Sequence, residues 1–481
     1  MKRLAVLLVM VLAPGLLHAQ PEQRPAVPVT KLTVKATTPP VPVLRYELLP
    51  SYRERIPGNA ALSYGRASLL LSERRTPDAK VAAEHELKID EMVAKPLKEI
   101  ERDKLHGYLD GYRQILRELE SGARHEYCDW DLERRIDADG VAALLPEIQK
   151  MRELARLLSH RCRLHCVEGK ISEALQDVQF GFALAKHVGE GPTLINSLVG
   201  MAIFQIFAGK LEQIIELPGC PNLYWSLTAL PRPFLNMSKP LEGEMRMLDG
   251  TLPLLRDLEK GPMTAEQVRH SLSQWAVSLQ NLGVGGEAQY LRSPLLMAAL
   301  VSMQYPNARQ SLLQIGKTEA ELDAMPAGQI ALLDAVIRFK SLRDEMFIWF
   351  NLPYYEGGEG LKKAQEKASR MRTDGPGDVF GTLLFMLFPA VEKVHFASVR
   401  SERKIAILRT IEALRLHAAK GNKFPATLAE ISVVPPVDPL SGLPFLYELS
   451  KDGKALLTAP PPRGQLEHQG NAMKYEITLT R

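Results

Sequence analysis

LSHRCRLHCVEGKISEALQDVQFGFAL, residues 158–184, decides how the body of this chain folds. Leu158, Cys162 and His165 recur at helical spacing along one stripe, and Ala174, Val178 and Gly181 share one face of a second helical run. Gly169 stands between the two runs, where a residue free of a Cβ lets the backbone reverse. Small residues on the facing stripes let two antiparallel helices approach closely, so the stretch predicts an α-α hairpin.

The same composition extends outward from that hairpin. From Ala60 to about Lys420, runs of Ala, Leu, Glu, Lys and Arg are broken only by isolated Gly and Pro. The periodicity predicts helices over 60–73, 78–99, 101–120, 146–168, 172–188, 191–216, 235–258, 264–282, 303–314, 327–351 and 358–371. Thr264 with Gln267, and Thr318 with Glu321, have the spacing in which the first side chain accepts an orphan amide hydrogen and the second reaches back. Gly283, Gly285 and Gly286 come after a helix, and so read as a hinge and not as a dinucleotide fingerprint.

Both ends of the chain differ from this body. Lys2 and Arg3, the apolar run Leu4 to Leu17 and the small Ala19 have the layout of a signal peptide over 1–19, which places the mature chain outside the cytoplasm, in the periplasm or secreted. The run is shorter than the roughly 20 apolar residues a spanning helix needs. Leu194 to Ala208 and Val379 to Val391 are shorter too and read as core helices, so no transmembrane span is expected in the mature chain. Residues 20–57 carry eight prolines and read as an extended tether with a short strand near Lys31 to Lys35. Beyond Pro389 a helix of about 30 residues is expected, with Ile407, Ile411, Leu414 and Ala418 on its buried face and Arg400, Arg403 and Lys404 exposed. A short helix with a Thr427/Glu430 capping box and strands over 443–449, 454–458 and 474–479 complete the chain. The expected divisions are thus 1–19, 20–57, a helical domain 58–260, a second helical region 261–388, and a long helix with a small β module over 389–481.

With 481 residues, 46% hydrophobic and 24% charged, the chain has ample material for a core. Its formal charge is +4, and removal of Lys2 and Arg3 leaves +2. So balanced a surface gives no electrostatic reason to expect a nucleic-acid partner. Four cysteines, Cys128, Cys162, Cys166 and Cys220, are far too few for a disulfide-stapled scaffold, and they allow three full pairings among which spacing does not choose.

Four groups of residues are candidates for chemistry. His160, Cys162, His165 and Cys166 crowd one helix segment, where a soft divalent metal or plain core packing are the alternatives. Glu126, Asp129, Asp131 and Glu133 flank Trp130, either as acid/base groups acting on a glycan or as a solvated loop pinned by its tryptophan. Tyr224-Trp225, and the run from Phe347-Ile348-Trp349-Phe350 to Tyr354-Tyr355, fit a core or the lining of a groove. Asp438 is a single acidic oxygen donor without companions for calcium. No nucleophile elbow, phosphate loop or His-Glu-x-x-His motif is present. The sequence therefore names no catalytic residue, no cofactor-binding residue, no cofactor and no metal ligand set.

Three resemblances add to this reading. Residues 158–184, through Gly169 and Ala174, resemble one tetratricopeptide-type helix-turn-helix unit, which implies a concave surface for a protein or peptide partner. Residues 380–458 resemble the globular head of a type II secretion pseudopilin, in which a long amphipathic helix leads through an aromatic-Pro pair, here Phe424-Pro425, to an Asp-Pro…Gly…Tyr hairpin, here Asp438-Pro439, Gly442 and Tyr447. The layout as a whole resembles large secreted proteins of planctomycete-type bacteria, carried by Cys128-Asp129-Trp130-Asp131-Leu132, Pro221-Asn222-Leu223-Tyr224-Trp225 and Met325-Pro326-Ala327-Gly328-Gln329. None of the three implies a catalytic activity. The expectation is a mainly α protein, an irregular body of tetratricopeptide-like hairpins with a small C-terminal α+β pseudopilin-like module. It is expected to act as an exported, non-enzymatic interaction or scaffold protein of the cell envelope. The alternatives are an extracytoplasmic hydrolase acting on glycans or peptides, with acids near Trp130, and an accessory component of a secretion system.

Overall fold

The computed structural model describes residues 26–74, 79–139, 145–251, 257–281, 293–371, 379–386 and 391–480. The signal-peptide segment, the Gly283–Gly286 hinge and Pro389 lie outside them. The chain is mainly helical with a small mixed sheet. In order, the helices are α1 (Ala60–Glu73), α2 (Ala79–Ala94), α3 (Arg102–Asp110), α4 (Arg113–Arg124), α5 (Glu133–Asp139), α6 (Pro146–Val167), α7 (Ile171–Gly189), α8 (Leu194–Ile215) and α9 (Tyr224–Thr228). They continue with α10 (Ser238–Thr251), α11 (Ala265–Asn281), α12 (Pro294–Gln314), α13 (Glu319–Asp323), α14 (Ala327–Phe350), α15 (Tyr354–Met371), α16 (Val379–Met386) and α17 (Val391–Ala418). Two compact units result, and the chain enters each more than once: Gln20–Trp130, Leu145–Pro240 and Ala397–Arg481 form the larger, and Asp131–Leu144 with Leu241–Phe396 lie in the smaller.

In the larger unit, α6, α7 and α8 pack on one another beside α1 and α4. Gly169 takes φ +70°, and its N–H and that of Lys170 donate to the carbonyls of Cys166 and His165, closing the end of α6 as a Schellman turn. The backbones of α7 and α8 then come into contact. A Cβ on Gly200 would lie 2.4 Å from the Gly189 Cα and 2.6 Å from the Ala185 carbonyl oxygen. Helix α8 is long and apolar enough to cross a bilayer by length and composition, and most of its most apolar window is buried inside the protein. The helix expected over 101–120 is instead two, α3 and α4, because the chain leaves helical bonding at Gly111 and Tyr112.

Four strands form the sheet: β1 (Val29–Lys35), β4 (Leu446–Leu449), β5 (Ala455–Ala459) and β6 (Met473–Thr480), with β2 (Ile56–Asn59) and β3 (His125–Tyr127) as a separate pair. The order is β1-β6-β5-β4, with β1 parallel to β6 and the other pairs antiparallel. Part of the segment expected as a tether is therefore an edge strand. Leu32 and Val34 alternate onto the buried face of β1 and supply the apolar burial that a free spacer lacks.

Helix α17 departs most from expectation. Arg403, expected at the surface, is buried: its Nε and Nη2 donate to the two carboxylate oxygens of Asp438 at 2.9 and 2.6 Å, and its Nη1 donates to the Asn471 carbonyl at 2.7 Å. Asp438 is thus the partner of an arginine, and it also accepts the Leu440 N–H. Arg415 is buried as well. It donates to Glu412 and to the carbonyls of Lys35, Pro221 and Cys220. Glu402 accepts the Phe234 N–H at 2.5 Å, and burial raises its carboxyl to about 7. The helix expected near Thr427 is a single 3-10 turn, Leu428–Glu430, in which the Thr427 hydroxyl meets the Glu430 side chain and caps no backbone N–H.

In the smaller unit, α14 packs against α11, α12, α15 and α16. The Thr318/Glu321 capping box forms, and Thr264 and Gln267 exchange reciprocal bonds. Gln329 is fully buried, accepts the Met263 N–H and donates to the carbonyls of Leu258 and Gly261. Trp349 lies where a Cβ on Gly360 would be, so the aromatic run around 347–355 is partly core, while Ile348 and Tyr355 remain exposed.

Four outcomes are expected in urea denaturation. Gly200→Ala lowers stability by about 1–3 kcal/mol, because backbone must move to admit the methyl. Gly209→Ala, on the same helix with nothing within 4 Å of the new Cβ, raises it by up to about 1 kcal/mol. Arg403→Met costs about 3–5 kcal/mol by leaving a buried carboxylate unpaired, and adding Asp438→Leu recovers part of that loss. For Glu402, the folded value lies above the unfolded one, so its contribution is complete below about pH 4.5 and is lost as pH rises through about 7. Glu402→Gln flattens that decline and leaves the variant the more stable of the two at pH 8.

Candidate functional site: a charged groove beside the edge strand

Helices α6 and α8 of the larger unit each turn a charged stripe to one side. Arg152, Arg156 and Ser159 recur at i, i+4 and i+7 on α6, and Ile206, Lys210 and Gln213 do so on α8. Together with Glu86 from α2, Glu212 and Glu216 from α8 and the segment after it, and Thr30 to Leu32 of β1, they line a groove of about 950 Å³.

The strand forming one wall is the edge strand of the sheet, and its outer side is occupied at Thr33 and Lys35. The Thr33 N–H donates to Glu216 Oε1 at 2.8 Å, so Thr33 faces away from β6. Backbone groups two residues apart on a strand point to the same side, which places the N–H and C=O of Lys31 on the groove side as well. Desolvation, with the neighbouring charge of Glu212, raises the Glu216 carboxyl, against the lowering effect of the Thr33 bond.

Most charges of the groove are answered inside the protein. Arg156 donates to Asp90 at 2.9 Å and to Glu86 at 2.5 Å. Glu212 accepts from Lys404 Nζ at 2.5 Å and from the Tyr475 hydroxyl at 2.6 Å, and Lys404 also donates to that hydroxyl at 2.8 Å. Lys210 differs. Among the described residues it makes no hydrogen bond and no ion pair, and burial lowers its ammonium below the usual lysine range. Nearby Arg163 donates only to neutral acceptors, the carbonyls of Val93 and Lys95 and the amide oxygen of Gln213.

The clusters singled out in the sequence fare differently. His160 pairs with Asp90 at 2.9 Å, and burial pushes its imidazole down to about 4. His165 pairs with Asp177 at 2.8 Å, and Cys162 Sγ donates to the Ala174 carbonyl at 3.6 Å. The two histidines thus go to separate carboxylates while Cys162 and Cys166 hydrogen-bond each other, and among the described residues no three His, Cys, Asp or Glu gather into a metal set. All four cysteines are free thiols. Trp130 stacks on Tyr64 with ring centroids 6.0 Å apart and donates Nε1–H to the His187 carbonyl at 3.3 Å. Asn59 holds the loop, bonding both the N–H and the C=O of Asp129. Asp129 belongs to the larger unit, whereas Asp131 and Glu133 belong to the smaller, where Glu133 pairs with Arg246 at 3.0 Å. Tyr224 is buried with Trp225 edge-on to it at 5.0 Å.

Neither Lys210 nor Arg152 belongs to a motif in the sequence. The available signal is that Lys210 is the lone cation, and Glu212 the lone acid, of an otherwise uncharged 22-residue helix. Comparison of the chain with family models, curated proteins and solved structures finds no match.

Proposed function

We propose that this chain is an exported, non-enzymatic interaction or scaffold protein of the cell envelope, and that the groove beside β1 seats an extended segment of a protein partner. The open edge of β1 at Lys31 carries this reading, since an exposed strand edge offers main-chain bonds that a polypeptide can complete. Arg156 and Glu212, each held by partners within the protein, suit a pre-formed surface more than a reacting centre. The α6–α7 pair with its Gly169 turn supports the tetratricopeptide-like resemblance, and α17 with the β4–β5 hairpin after it supports the pseudopilin-like one.

A photo-crosslinking residue placed at Gln149 or Arg152 in native cells is expected to give one discrete adduct with an envelope protein, while the same group at exposed Leu466 gives none. Asp129→Asn and Asp131→Asn should leave the adduct intact. Absence of groove adducts, together with a glycan- or peptide-cleaving activity that either Asn variant abolishes, would favour the hydrolase and reject this proposal.

A further inference from the structure

Lys210 is the half-buried groove cation that the protein leaves without an anion among the described residues; Lys31 and Arg152, which line the groove too, are exposed. Arg156 is answered by Asp90 and Glu86, and Lys404 by Glu212. Burial and the charge of nearby Arg163 lower the Lys210 ammonium, against the opposing effect of the Cys162 and Cys166 thiols, and among the described residues Arg163 bonds only neutral oxygens. Neither cation has a carboxylate partner among those residues. Three of the four acids of the groove are engaged elsewhere: Glu86 with Arg156, Glu212 with Lys404 and Tyr475, and Glu216 with the Thr33 N–H. Half-buried, an ammonium in this position gains from any anion that enters with a ligand.

Resting on the reading of the groove as a peptide seat, we infer that Lys210 receives an acidic side chain of the bound segment, so that the groove selects extended peptides carrying an Asp or Glu at one register. A single carboxylate fits better than a polyanion, because Glu86, Glu153, Glu212 and Glu216 line the same groove and repel a run of negative charge. A side chain fits better than a chain terminus, because a strand continuing along Lys31 presents alternate side chains to one face of the groove while its backbone meets β1.

The test is selection of a random ten-residue peptide library, displayed on phage by C-terminal fusion so that no free carboxyl terminus is offered, against the purified full chain. Wild type is expected to enrich peptides with Asp or Glu at one fixed position. Lys210→Met should lose that preference, Lys210→Arg should keep it, and Lys210→Met should melt at the same or a higher temperature, since a half-buried uncompensated charge is gone. For a selected peptide made synthetically, changing its acid to the amide should weaken binding to wild type roughly tenfold and change binding to Lys210→Met by less than twofold. Peptides enriched without an acidic preference, or with one that persists in Lys210→Met, overturn this inference and leave the peptide groove standing. An acidic preference seen only in a parallel library with free C-termini overturns the side-chain assignment. Failure to enrich any peptide overturns the groove reading itself.

Discussion

The larger unit depends on two arginines buried on one helix. Arg403 and Arg415 of α17 carry full charges into the interior, where an unpaired guanidinium would cost several kcal/mol. Each is satisfied only when distant segments meet: Asp438 and Asn471 around Arg403, and Lys35, Cys220 and Pro221 with Glu412 around Arg415. Such pairs add little net stability compared with a well-packed apolar core. What they supply is register. A shift of α17 by one residue would strand both cations, so the helix, the sheet and the segment carrying β1 have one low-energy arrangement.

The groove inherits that order. Its β1 wall is held by pairing with β6 and, at its C-terminal end, by the Arg415 bond to the Lys35 carbonyl. Helix α8, which supplies another side of the groove, is itself packed closely on α7 through Gly189 and Gly200. Charges fixed by such partners need no reordering when a ligand arrives, which lowers the cost of binding one. Lys210, half-buried and without an anion among the described residues, is the exception.

Legibility tracked the range of the forces involved. Helices α1, α6 and α7 lie within a residue or so of their expected spans, because propensity, periodicity and the Gly169 turn act within a few residues. The capping boxes at Thr264 and Thr318 form for the same reason. Arg403 defeats the pattern because periodicity assigns a charged residue to the solvent face, whereas its partner Asp438 lies 35 residues further on. The strand at 29–35 is visible in outline in the sequence, but its parallel partner stands at the other end of the chain.

The sequence by itself determined the helical body, its turns and its caps, and the near-neutral charge that speaks against nucleic acid, since these depend on local bonding and bulk composition. Only the tertiary structure decided which charges are buried, that β1 closes the C-terminal sheet, and that Lys31, Arg152 and Lys210 line one groove. The reason is physical: desolvation and pairing are properties of neighbours in space, and residues 31, 152 and 210 become neighbours only when α6, α8 and β1 pack together.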